Sequence, residues 1–176
     1  MHSQGFYYLH TNGDLIYKRD ADGGAIADAR ESSFVRAVWP VYPESRACAW
    51  DILVESLAAG ADKNRVFEIA SKWDATNEDA ANYAWALGFN LSMDGNQYCA
   101  TRSDFVDLQN SPAGFGDTAL EAISELVKEL GYKPSKMWAA SFKDLVSQKP
   151  KELTVDEDKQ LKYDYAKASA TINPRE

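Results

Sequence analysis

Tyr7-Tyr8-Leu9-His10-Thr11-Asn12-Gly13-Asp14-Leu15-Ile16-Tyr17 sets Asn-Gly between two runs of aromatic and aliphatic residues. Both turn residues tolerate positive φ, so the pair predicts a type I′ turn closing a hairpin, with strands over 5–10 and 14–19. Downstream, Asp20-Ala21-Asp22-Gly23-Gly24-Ala25 holds turn residues without a period and reads as a loop. Ser33-Phe34-Val35-Arg36-Ala37-Val38-Trp39 alternates apolar with small or charged residues and reads as a third strand. Strands followed by segments of helical period define the class: α+β, helix-rich, with a small antiparallel sheet formed by the N-terminal hairpin and short later strands.

The helical period begins after Pro43, with Trp50, Leu53, Val54 and Leu57 on one stripe and Gly60 as the stop. Val66, Ile69, Ala70 and Trp73 repeat the spacing after a cap at Asp62. Ala80, Tyr83, Ala84 and Leu87 repeat it after Thr76, so two short helices meet at Asp74-Ala75. Beyond Gly88, Met93-Asp94-Gly95-Asn96 reads as a turn, and 97–101 and 104–108 as short strands able to pair with the hairpin. Thr118 and Glu121 have capping-box spacing ahead of the stripe Leu120, Ile123, Val127 and Leu130, which Gly131 ends. Ser135 opens a helix bearing Trp138, Phe142, Leu145 and Val146 up to Pro150, and Thr154 with Glu157 opens a last polar one. One domain over 1–150 and an appendage or oligomer contact over 151–176 are therefore expected, the latter admitting a homo-oligomer.

Composition narrows the partners. Hydrophobic residues at 45% and five Trp among 176 residues exceed what a disordered chain carries. Nineteen Lys and Arg against 27 Asp and Glu give a net charge of −8, which repels phosphate backbones and anionic lipid and disfavours nucleic acid and membrane partners. The start, Met1-His2-Ser3-Gln4-Gly5, has neither a basic nor an apolar leader segment, and no run of apolar residues is long enough to span a bilayer. A soluble cytoplasmic protein is expected, with Cys48 and Cys99 as buried thiols rather than a disulfide framework.

Chemistry-bearing motifs are sparse. The helix pair from Asp62 to Gly88 has the outline of a helix-turn-helix, but 76–87 carries Glu78 and Asp79 and no basic residue for base edges or phosphates. Ser111-Pro112-Ala113-Gly114-Phe115-Gly116-Asp117-Thr118 leads into a helix as phosphate cradles do, yet it lacks Lys, and Asp117 would oppose an anion. His2 and His10 are the only histidines. His10 with Cys48 or Cys99 is the one thiol–imidazole combination available, and scattered His and Cys give no metal site. Asp104 with Asp107, or Asp156 with Glu157 and Asp158, read chiefly as a solvated face. Asp94-Gly95-Asn96 fails as a calcium loop because the twelfth position is Phe105. No cofactor is implied.

The aromatic stock is the unusual feature, and Trp85, Tyr83 and Trp50 are the candidate interface residues. Trp85 projects about 200° from the stripe of its helix. A second layer from the sheet and helix 118–130 is expected to cover it. Compact size, acidity and aromatics without catalytic parts favour action by protein–protein interaction. An enzyme with a dispersed carboxylate, Tyr and Ser site, and a helix-turn-helix-like nucleic-acid binder, are the alternatives. Residues 7–17 and 111–118, as quoted, are similar to small uncharacterised proteins encoded by bacteriophages and prophages. The resemblance implies a cytoplasmic accessory protein working on host or phage machinery.

Overall fold

The computed structural model describes residues 5–20, 24–42 and 46–136. The helices expected after Ser135 and Thr154, the appendage over 151–176, Pro43 and His2 lie outside them. The protein is α+β, with five helices and two three-stranded antiparallel sheets among the described residues. Where the sequence pattern suggests one domain over 1–150, the chain gathers into two compact units. Among the described residues, the first unit holds those up to Asp74 together with 132–136, and the second holds Ala75–Gly131.

In the first unit, β1 (Gly5–His10) lies between β2 (Leu15–Arg19) and β3 (Val35–Val41). Tyr7 stands opposite Tyr17 and Trp39, and Tyr8 opposite Ile16 and Val38. A central strand is covered on both faces, which is why 6–9 reads Phe-Tyr-Tyr-Leu without alternation. The hairpin forms as expected, but through a different turn. Gly13 alone takes positive φ, at 96°, and Asn12 does not. The Gly13 N–H donates to the His10 carbonyl at 2.9 Å and the His10 N–H to the Asp14 carbonyl at 2.8 Å, the pattern of a tight turn followed by a left-handed bulge residue.

The loop expected between β2 and β3 contains α1 (Gly24–Glu31). Its thin apolar stripe, Ala25, Ile26 and Ala29, packs on Phe6, Val35 and Val38. Asp20, four residues ahead, accepts from the Ala25 and Ile26 N–H groups at 3.4 and 3.3 Å, so the cap stands away from the position where sequence patterns seek it. α2 (Arg46–Ala58) and α3 (Lys63–Lys72) follow as expected. Asp62 occupies the N-cap of α3 without a side-chain cap bond. Trp73, just past that helix, meets Tyr7 edge-on at 5.9 Å, so α3 reaches the sheet face that carries Tyr7.

Asp74, at φ 51°, ends this unit's first run of chain. The returning segment is pinned from three sides. The Val38 N–H donates to the Ser135 carbonyl at 3.1 Å, Arg30 Nε to the Lys136 carbonyl at 3.0 Å, and Lys136 Nζ to the Ser32 carbonyl at 2.6 Å.

The second unit runs α4 (Asn77–Ala86), β4 (Phe89–Asp94), β5 (Gln97–Arg102), β6 (Ala113–Gly116) and α5 (Ala119–Glu129), with strand order β4-β5-β6. The later strands expected to extend the hairpin sheet make a sheet of their own instead. Thr76 caps α4 reciprocally with Asp79, and Thr118 accepts from the Glu121 N–H at 3.2 Å to cap α5. Asn77 Oδ1, at the start of α4, also accepts from the Ala119 N–H at 3.2 Å and ties the two helix starts together. β4, which the sequence reading did not mark, runs Phe-Asn-Leu-Ser-Met-Asp into its turn at Gly95.

Gly114 and Gly116 are the hinge of this packing. A Cβ at Gly114 would run into the backbone of Ala122 and Leu126, and one at Gly116 into Glu121. Both glycines therefore let α5 lie directly on β6, and the stretch 113–116 is a strand against a helix rather than a phosphate cradle.

Candidate interaction surface

The three aromatic candidates separate. Trp50 is 5% exposed, a core residue of the first unit that offers no ring to a partner. It sits on the same buried stripe of α2 as Leu53 and Val54, where aromatic bulk fills a core. Tyr83 and Trp85 belong to α4 in the second unit, Tyr83 half-buried and Trp85 56% exposed. The cover expected for Trp85 from the sheet and helix 118–130 is thus not met. α4 buries the methyl groups of Ala80, Ala81 and Ala84, and the large ring on its last turn is left facing outward.

Trp85 has company. Six large apolar side chains stay exposed among the described residues, and four of them, Trp85, Met93, Val106 and Leu108, lie within Ala75–Gly131. Val106 and Leu108 stand out at 73% and 63% exposure. They sit on the connection between β5 and β6, which was expected to be a strand over 104–108 and is an ordered loop.

Side chains build that loop. Arg102 Nε lies 3.3 Å from Asp104 Oδ1, and the Phe105 N–H donates to the Arg102 carbonyl at 3.1 Å. Across the loop, the Val106 N–H donates to Ser111 Oγ at 3.0 Å. Asp107 Oδ1 accepts from the backbone N–H of Gln109 at 3.0 Å and of Asn110 at 2.8 Å, and the Asp107 carbonyl accepts from Ser111 at 3.0 Å. A carboxylate that caps its own turn offers the backbone donors an alternative to a strand ladder. The apolar-alternating sequence misled here because Asp107 competes successfully with strand pairing. Asp104 and Asp107 are each committed to local bonds and do not converge on a shared site.

Charge divides as unevenly as exposed apolar surface does. Met1–Asp74 holds eleven acidic and eight basic residues, whereas Ala75–Gly131 holds nine acidic residues against Arg102 and Lys128, a net −7 out of the chain's −8. Glu78, Asp94, Asp107, Asp117, Glu125 and Glu129 are exposed.

The other candidate sites are dispersed. α3 falls in the first unit and α4 in the second, so the helix pair of 62–88 is shared between units. His10 Nδ1 accepts from the Asn12 N–H at 3.1 Å, and its ring stacks on Phe34 at 6.0 Å. Cys48 and Cys99 are thiols outside any disulfide and are half-buried rather than fully buried. Cys48 Sγ donates to the Pro40 carbonyl at 3.5 Å, and burial, with a smaller push from Asp94, raises the Cys99 thiol above its ordinary range. No group of three or more His, Cys, Asp or Glu able to hold a metal occurs among the described residues. No helix among them is long and apolar enough to cross a membrane.

Sequence reasoning passed over one polar cluster. Glu55 Oε1 accepts from Trp39 Nε1 at 3.3 Å and from the Tyr132 hydroxyl at 3.1 Å. Tyr132 is 8% exposed, and its phenol is raised well above the ordinary range by burial and then by the Glu55 charge. A neutral phenol donating to a partly buried carboxylate acts as a bridge that anchors the returning chain. Its members lie 16 and 77 residues apart, a separation that leaves no local signature.

Comparison of the chain with protein-family models, curated proteins and solved structures gives no match.

Proposed function

We propose that the protein acts by binding another protein through the Ala75–Gly131 unit. The observation that carries this reading is the braced 104–111 loop, which holds Val106 and Leu108 in solvent on a scaffold of its own hydrogen bonds. Exposed aliphatic side chains gain about 1.5–3 kcal/mol each when fully buried. A loop already fixed avoids much of the ordering cost that a flexible loop meets on association. The bland reading, isolated apolar residues on an ordinary surface, accounts for single side chains. It accounts less well for a loop whose polar groups are spent on holding two of them outward.

The resemblance of 7–17 and 111–118 to phage- and prophage-encoded proteins supports an accessory role for this binding, in a cytoplasmic setting. The enzyme alternative finds its nearest support in Glu55 and Tyr132, a part-buried pair whose hydroxyl and carboxylate are hydrogen-bonded to each other.

Affinity capture with the full chain and with the V106S/L108S variant tests the reading. A protein recovered in stoichiometric amount by the native chain and depleted about tenfold by the variant is the expected result, since 1.4 kcal/mol corresponds to that factor. Equal recovery by both chains overturns it.

A further inference from the structure

We infer that the partner presents a Lys- and Arg-rich segment studded with aliphatic side chains, an inference that rests on the 104–111 loop being the contact. Two independent observations meet at this loop. The first is apolar: Val106 and Leu108 are exposed two residues apart, and association would remove both from water. The second is electrostatic: the stretch Ala75–Gly131 that carries the loop has nine carboxylates and two basic residues, and Asp107 lies in sequence between the two apolar side chains.

Of those two basic residues, Arg102 is already placed against Asp104. At physiological salt, fields persist over about 8 Å, so a surface this one-sided steers cations and turns anions away. Nucleic acid and anionic membrane are repelled by the same field. Protein interfaces commonly combine apolar groups that hold the complex with charged groups that select the partner. A partner with apolar residues alone would satisfy the loop and waste the charge; one with cations alone would satisfy the charge and leave Val106 and Leu108 wet. A basic amphipathic segment satisfies both.

Three synthetic peptides of equal length provide the probes: one of Lys and Leu at amphipathic helical spacing, one with each Leu replaced by Ser, and one with each Lys replaced by Glu. Fluorescence anisotropy reads their binding to the full chain at low and at raised salt. The Lys/Leu peptide is expected to bind at least about tenfold more tightly than either other peptide and to weaken as salt rises. V106S/L108S is expected to remove about that tenfold while its melting temperature stays unchanged. Lys/Ser binding as tight as Lys/Leu overturns the inference, because charge alone then suffices. Binding of Glu/Leu that V106S/L108S abolishes overturns the basic partner but leaves the loop as the contact. Unaltered Lys/Leu binding by V106S/L108S removes the loop itself, and the proposed function with it. Binding of none of the three overturns the basic-segment assignment, while the capture comparison still judges the loop.

Discussion

The two units fold a three-stranded antiparallel sheet against helices by different means. In the first, long side chains cross between distant segments: Arg65 Nε donates to the Leu15 carbonyl at 3.1 Å, Glu55 bridges Trp39 and Tyr132, and Arg30 holds the Lys136 carbonyl. In the second, the helix is brought onto the sheet by the absence of side chains, at Gly114 and Gly116, above a core of Leu120, Ile123, Leu126 and Val127. The first unit nearly balances its charge over Met1–Asp74, whereas the second concentrates it. In the second unit, close backbone packing at the two glycines goes together with acidic and apolar residues that face outward.

The comparison is broken or sharpened most forcefully in the second core. Leu126 is fully buried, and Leu126→Ala should cost about 2–5 kcal/mol. If the two units unfold separately, hydrogen exchange followed by mass spectrometry will rise first in peptides from 75–131. An equal rise in peptides from 5–74 would show one cooperative core. A smaller effect is expected at the strand–helix approach, where Gly114→Ala puts a methyl group against the α5 backbone. About 1–3 kcal/mol is the usual cost of such overpacking, read as a fall in denaturant midpoint. No change there would mean that α5 slides easily on β6.

The smallest effect concerns the bridge in the first unit. Tyr132→Phe should cost about 1 kcal/mol near neutral pH through the lost hydrogen bond. Its pH dependence is more telling. Burial and Glu55 raise the folded phenol above the ordinary value of about 10, so the unfolded chain ionises first. The stabilisation is complete below that pH and is lost as pH rises above it. Tyr7 is also raised, chiefly by burial, and adds a slope of the same sign. Melting temperatures followed upward from about pH 9 should therefore fall more steeply in the native chain than in the variant. Equal slopes would show that Tyr132 does not hold its proton through the bridge.

Local rules carried the reading wherever one segment decides its own state. Asn12-Gly13 marked the hairpin, although backbone hydrogen bonds chose a bulged turn over type I′. Thr76 and Thr118 marked their helices because a cap is a three-residue event. The rules failed where a partner decides. α1 is a helix because its three apolar residues find Phe6 and Val38, and β6 is a strand because β5 pairs with it and α5 leans on its glycines. In 104–108 the alternation was real, but Asp107 captured the backbone donors that a strand would have needed.

The candidate surface was legible in part. Trp85 is exposed outside its helix's apolar stripe and Trp50 lies in a core, a difference that helical spacing does not reveal. Val106 and Leu108 went unmarked for the complementary reason: in sequence they look like strand residues, and only the loop's hydrogen bonds turn them outward.

By itself the sequence determined the class, the hairpin, the principal helices and the sign of the charge, since each depends on residues close together along the chain. The tertiary structure decided which strands share a sheet, that the chain divides after Asp74, and that nearly all the net charge falls with the exposed loop in one unit. Those outcomes depend on groups that meet only when the chain has folded, and no local pattern encodes such meetings.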